Sequence, residues 1–236
     1  WGDFNSWEVA QQIRVAVQAG RVEGAAVCLV GVGSVEAGRK FAQMLEVPAD
    51  VRIYADPSAA CHSAMHFSRG ALPQYADSLN PYLRVFLMLL GVGSPGTIRT
   101  VLGGYFGNRS LPASATAWID ASLRQGAKQG RWPTAVPDLM GDGKMLSFAE
   151  VGSGVWDGGF GKEGQRPFEL ATIRLQNMVG GIIANWSDLA PADDELLVQQ
   201  GGALVTDANS DATFYYRDKG ILTYVPMDSV IASLQS

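Results

Sequence analysis

Two cysteines and two histidines are the side chains of this 236-residue sequence best equipped for chemistry. Cys28 and Cys61 belong to no CxxC pair, and two cysteines cannot build a disulfide framework. Cys28, between Val27 and Leu29 in an apolar run, reads as a buried structural thiol. Cys61 precedes His62 with no second cysteine nearby, so nothing around it argues for a reactive thiolate. His62 and His66 are spaced i, i+4 on an expected helix, and both rings could reach one ion. A HExxH site needs a glutamate after the first histidine, and Ser63 stands there. A zinc ion would need carboxylates or Cys61 as further ligands, and a packed or solvated helix face is the simpler reading. No GxSxG elbow occurs, and neither histidine has a triad context.

Three further patterns invite ligands. Gly31-Val-Gly33-Ser-Val-Glu36 follows an expected strand and opens a helix, as a dinucleotide-binding turn does. Its third glycine is Glu36, whose carboxylate would oppose a pyrophosphate, so a plain strand-to-helix turn is preferred. Asp207-Ala-Asn209-Ser-Asp211, with Asp218 at the twelfth place, resembles a calcium loop. Ala212 stands where that loop needs glycine, and the segment reads instead as a hairpin turn. Asn108-Arg-Ser110 and Asn185-Trp-Ser187 are sequons of the kind that arise by chance.

Composition narrows the function classes. The chain carries 18 Lys+Arg against 23 Asp+Glu, a formal charge of −5, with no basic run, which argues against a nucleic-acid surface. Hydrophobic residues reach 47% and exclude a disordered chain, while charged residues are few at 17%. A low-charge chain with 28 glycines suits contact with other macromolecules. The apolar run from Val85 to Leu90 extends only to Val92 before Gly93-Ser-Pro-Gly96. That is far short of the roughly 20 residues a membrane helix needs, so no transmembrane span is expected.

The elements that must position these residues follow from periodicity. Trp7–Ala19 reads as a helix ended by Gly20, and Ala25–Val32 as a strand buried on both faces. Ser34 caps a helix through Leu45, with Glu36 in its first turn. Val51–Ala55 is a strand, closed by Asp56-Pro57 and followed by a helix through His66. The strand–helix–strand unit implies a parallel pair. Pro81–Leu90, Pro95–Leu102, Ala113–Gly126 and Pro167–Trp186 read as helices, and Gly141–Gly164 as a long glycine-dense loop. Ala203–Thr206 and Thr213–Tyr216 are two strands of a hairpin, and Met227–Leu234 is a closing helix.

In this order the elements resemble a family. Trp1-Gly-Asp-Phe-Asn-Ser-Trp7-Glu-Val-Ala10 is similar to the active-site turn of peroxiredoxin-like AhpC/TSA proteins of cyanobacteria and plastids, where an aromatic and Gly precede Cys-x-x-Cys, Trp-Glu and Ala. Leu29-Val-Gly-Val-Gly33-Ser, Tyr54-Ala-Asp-Pro57, Arg69-Gly70 and Gly91-Val-Gly-Ser-Pro-Gly-Thr97 continue the resemblance. So do Gly104-Tyr105, Arg166–Thr172, Arg174–Asn177, Gln200-Gly-Gly202 and Tyr216–Leu222. The likeness covers nearly the whole chain apart from about 111–164. Where the family has its two redox cysteines, this sequence has Asp3 and Ser6. Peroxide reduction needs a thiolate and disulfide exchange needs a second sulfur, which neither residue supplies. Asp3 reads instead as a helix cap.

The resemblance implies a thioredoxin-like α/β fold: a mixed sheet flanked by helices, in one domain over 1–236. A helical and glycine-rich insertion is expected within it at 71–190, of which 111–164 is extra to the family. It further implies a redox-inactive protein with no catalytic residue, its degenerate site marked by Asp3 and Ser6. Such a chain would act as a structural or accessory subunit of a chloroplast thylakoid complex, a photosystem with its antenna being the natural host. Trp118, Trp132, Trp156 and Phe160 are the candidate partner contacts, since aromatics carry interface energy. No cofactor or metal is expected, and a pigment contact is not derivable. The alternative is a thiol-dependent peroxidase or oxidoreductase using Cys61 or Cys28. All four strands are expected in one sheet, and the resemblance further implies a strand upstream of Trp1, between Ala25–Val32 and Ala203–Thr206.

Overall fold

The computed structural model describes residues 1–106, 121–122, 125–126, 128–129 and 178–235. The chain divides into two compact units, Trp1–Arg99 with Asn185–Ser236, and Thr100–Ala184. Trp118, Trp132, Trp156, Phe160 and Asn108 lie outside the described residues, as does the glycine-dense loop. In the second unit, residues 178–184 are helical, with Met178 and Ile182 buried.

The first unit is built of helices and small sheets. α1 spans Phe4–Gln18 and starts three residues earlier than periodicity indicates, because Asp3 caps it in extended geometry. β1 (Cys28–Val32), α2 (Val35–Leu45) and β2 (Arg52–Asp56) form the expected parallel unit, with Leu29 opposite Ile53 and Gly31 opposite Ala55. Ser34 Oγ accepts the Ala37 amide at 3.0 Å, and Glu46 in the left-handed region ends α2. α3 (Ala60–Ala64) is one short turn. A 3-10 turn at Pro73–Tyr75 leads to α4 (Pro81–Leu89) and α5 (Thr97–Phe106). After α6 (Trp186–Leu189) and a 3-10 segment at Asp194–Val198 come β3 (Gly202–Thr206), β4 (Ala212–Arg217) and α7 (Met227–Leu234).

The expected single sheet is corrected. Among the described residues β1 pairs only with β2, and β3 only with β4, as two separate two-stranded sheets. Backbone alternation defines the two edges of β1. The Arg52 amide donates to Val27 O at 2.9 Å, so Val27, Leu29 and Gly31 present their polar groups to β2. Cys28, Val30 and Val32 turn theirs to the opposite edge, where the Trp1 amine donates to Val32 O at 3.0 Å. Side chains alternate in the same way. Leu29, Gly31 and Ile53 face α2 and Trp1, while Cys28, Val30 and Tyr54 share an exposed face. The strand buried on both faces is therefore a half-buried one, and Cys28 is an exposed thiol rather than a buried one.

The core around α2 is aromatic. Trp7, Phe41, Leu45 and Trp1 are buried; the Trp1 ring lies 5.1 Å from that of Phe41, and Trp7 meets Phe41 edge-on at 6.4 Å. A second cluster of Ala71, Met88 and Val198, with Leu72, Val85 and Ile221 against it, anchors α4. Residues 71–99, the first part of the expected insertion, thus belong to the first unit.

Candidate functional site

The start of α1 is where Asp3 and Ser6 meet. Four amides at a helix N-terminus lack partners within the helix and favour an anion. Asp3 supplies it: Oδ1 accepts the Ser6 amide at 2.8 Å, and Oδ2 accepts the Ser6 hydroxyl. Both side chains are bound to each other on an exposed turn, as the capping role of Asp3 requires.

Between Asp3 and Ser6, Asn5 ties this turn to the far end of the chain. Its Nδ2 donates to Asp218 Oδ2 at 2.8 Å and to Gly220 O at 3.1 Å. Its Oδ1 accepts the Leu222 amide at 2.6 Å. Asp218 is buried, and burial pushes its carboxyl up to about 7. The Asn5 amide and the Gly201 N–H pull it back, while the Asp3 charge pushes the same way as burial. The site therefore holds a carboxyl group that changes protonation near neutrality, beside a second carboxylate that is committed to capping. Such a pair can hold and release a proton, but it offers no sulfur nucleophile. In the sequence Asp218 stands out only as the twelfth place of a calcium-loop pattern that reads instead as a hairpin turn. Nothing in one sequence signals a pairing across 213 residues.

A second polar cluster closes β2. Asp56 Oδ1 accepts the Ala60 amide at 2.8 Å. Its Oδ2 accepts the Cys61 amide at 2.9 Å, the His62 amide at 3.4 Å and His62 Nδ1 at 3.0 Å. Burial raises this carboxyl, but the bonds from the His62 ring and from the Ala60, His62 and Cys61 amides outweigh it and leave it below the usual range. The His62 ring packs edge-on against Phe67, which stacks on Tyr215. His66 does not join it. With φ at +55° it lies beyond the end of α3, so the two histidines do not share a helix. Cys61 is exposed on α3 and Cys28 on β1; neither is in a disulfide.

The glycine turn is filled from within. A Cβ on Gly31 would come within 2.5 Å of the Trp1 ring, on Gly33 within 2.8 Å, and on Gly38 within 3.0 Å. Those glycines admit an indole where a dinucleotide turn would admit a pyrophosphate. The Asp207 segment is a hairpin turn, its carboxylate accepting the Asn209 and Asp211 amides at 2.9 and 2.8 Å. Among the described residues no group of three or more His, Cys, Asp or Glu is placed to hold a metal ion, and no helix is long and apolar enough to cross a membrane.

A family model described as AhpC/TSA antioxidant enzyme matches residues 13–220. The match opens within α1, after Asp3 and Ser6. No curated protein and no solved structure matches the chain.

Proposed function

Because the chain belongs to the AhpC/TSA antioxidant enzyme family, which is thioredoxin-like, we propose that it is a redox-inactive member of it. In this reading it serves as a structural or accessory subunit of a chloroplast thylakoid complex, with a photosystem and its antenna as the natural host. The observation that carries this is the Asp3–Ser6 pair. At the turn that resembles the family's redox site, the helix N-terminus that would stabilise a thiolate is spent on a carboxylate cap. The plastid branch of the resemblance and the low charge of the chain support the thylakoid setting.

The exposure of both thiols favours one competing reading, a peroxidase working through Cys61 or Cys28. Peroxide consumption with a dithiol reductant separates the two. The subunit reading expects no thiol-dependent turnover in the native protein. Turnover that falls in Cys61→Ser or Cys28→Ser would overturn it. A pull-down from solubilised thylakoids should then recover a stoichiometric complex, and a free monomer there would sink the subunit role.

A further inference from the structure

We propose that the outward face of α4 docks on a lipid bilayer with anionic headgroups. Tyr82, Leu83, Phe86, Leu89 and Leu90 are all exposed at i, i+1, i+4, i+7 and i+8, which is a single helical stripe. Phe86 is 55% exposed and Leu90 56%. The stripe continues past the helix end: Val92 is exposed, and Ile98, 51% exposed, lies against Gly91, where a Cβ would meet its Cδ1 at 3.1 Å. Large apolar groups concentrated in this way mark a binding surface rather than chance exposure.

Charge identifies the occupant. Between Pro81 and Ile98 the only charged residue is Arg84. It is withdrawn from the surface: buried, ion-paired to Glu195 at 2.6 Å, and bonded through Nε to Ala71 O at 2.9 Å. The stripe thus presents no charge at all. Cations stand at one end of it. Arg99 follows Ile98, and Lys219 meets Gly96, whose amide donates to Lys219 O at 3.1 Å. Both are exposed and in no ion pair among the described residues. An apolar face with basic residues at its rim is what an interfacial helix offers to anionic lipid. The acids beside α4 belong to the 3-10 segment at the opposite end, where Asp194 takes a bond from the Tyr82 hydroxyl and Glu195 is bound to Arg84. The Leu89–Ile98 end therefore enters first. A second copy of the chain fits less well. Seven apolar residues fall well short of the roughly 20–30 residues a side of a stable protein interface.

This goes beyond the subunit role, and its failure leaves that role standing. The test is flotation of the intact chain with phosphatidylcholine vesicles, with and without phosphatidylglycerol. The wild type should float with the anionic vesicles, and Arg99→Glu with Lys219→Glu should weaken that binding. Phe86→Glu with Leu90→Glu should lower it at least about tenfold, since two apolar side chains lose their burial. Both residues are exposed, so an unchanged urea midpoint shows that the variant still folds. Absence of flotation, or flotation indifferent to Phe86→Glu and Leu90→Glu, overturns the proposal. Light scattering that finds a dimer split by the same pair, without flotation, would assign the face to a second copy.

Discussion

Replacing Asp218 by Asn should remove a pH dependence of stability that is set by burial. In the fold the Asp218 carboxyl titrates at about 7, against 3.8 for an ordinary aspartate. A raised value means that the folded state binds the proton more tightly than the unfolded chain. The contribution is complete below about pH 4 and is lost as pH rises through 7. The difference of about 3 pH units, at ~1.36 kcal/mol each, sets a ceiling of about 4 kcal/mol. The amine of Trp1 acts in the opposite sense. Burial lowers it below 8.0, more than the Asp3 charge raises it, so its contribution is lost as pH falls. The two slopes oppose each other between pH 5 and 7, so the Asp218 contribution is read from the difference between wild type and Asp218→Asn. Asp56 and Asp188, both held low, titrate below this window. The assay is urea unfolding at pH 5, 6, 7 and 8 for wild type and Asp218→Asn. The stability of wild type relative to Asp218→Asn should fall from pH 5 to 7. An unchanged slope in Asp218→Asn would refute the burial argument.

Three other perturbations follow from the geometry. Gly31→Ala places a methyl 2.5 Å from the Trp1 ring and should cost about 1–3 kcal/mol in urea, with a red-shifted tryptophan emission as the indole leaves its pocket. If emission and stability both hold, Trp1 does not pack there. Asp3→Ala removes the α1 cap and should cost ~1 kcal/mol, whereas Asp3→Asn should retain most of it; equal losses would mean that charge, not capping, is at stake. Asn5→Ala strands the Leu222 amide and the Gly220 carbonyl and should cost about 2–3 kcal/mol. It should also move the Asp218 titration higher, measurable by carboxyl NMR, because the bond that holds the carboxylate down is gone.

Local signals were legible where the chain carries its own instructions. Ser34 at the α2 cap and Asp207 in the hairpin turn sit where their side chains bond the nearest backbone, and Glu36 falls in the first turn of α2. Pairing between distant segments was not legible. The apolar run around Cys28 could not reveal that one of its faces stays open, because continuous hydrophobicity is the same for a central and an edge strand. Glycines 31 and 33 fit a phosphate turn as well as the preferred plain turn, because close approach selects glycine whether the visitor is a phosphate or the Trp1 ring. At the candidate site Asp3 and Ser6 could be placed through resemblance, while Asn5 and Asp218 needed coordinates.

The Asn5 latch also constrains how the molecule is made. A ribosome extends a chain at roughly 5–20 residues per second. The Asn5 side chain therefore emerges roughly 10–40 s before its partners at 218–222, given their separation of at least 213 residues. Throughout that interval α1 can be capped by Asp3 but not fastened at Asn5. Its indole at Trp7 and the carboxylate of Glu8, both buried in the finished fold, remain available to whatever holds nascent chains. A transcript truncated before Asp218 would release a product whose first helix never locks, and a single late nonsense codon would be felt at the opposite end of the protein.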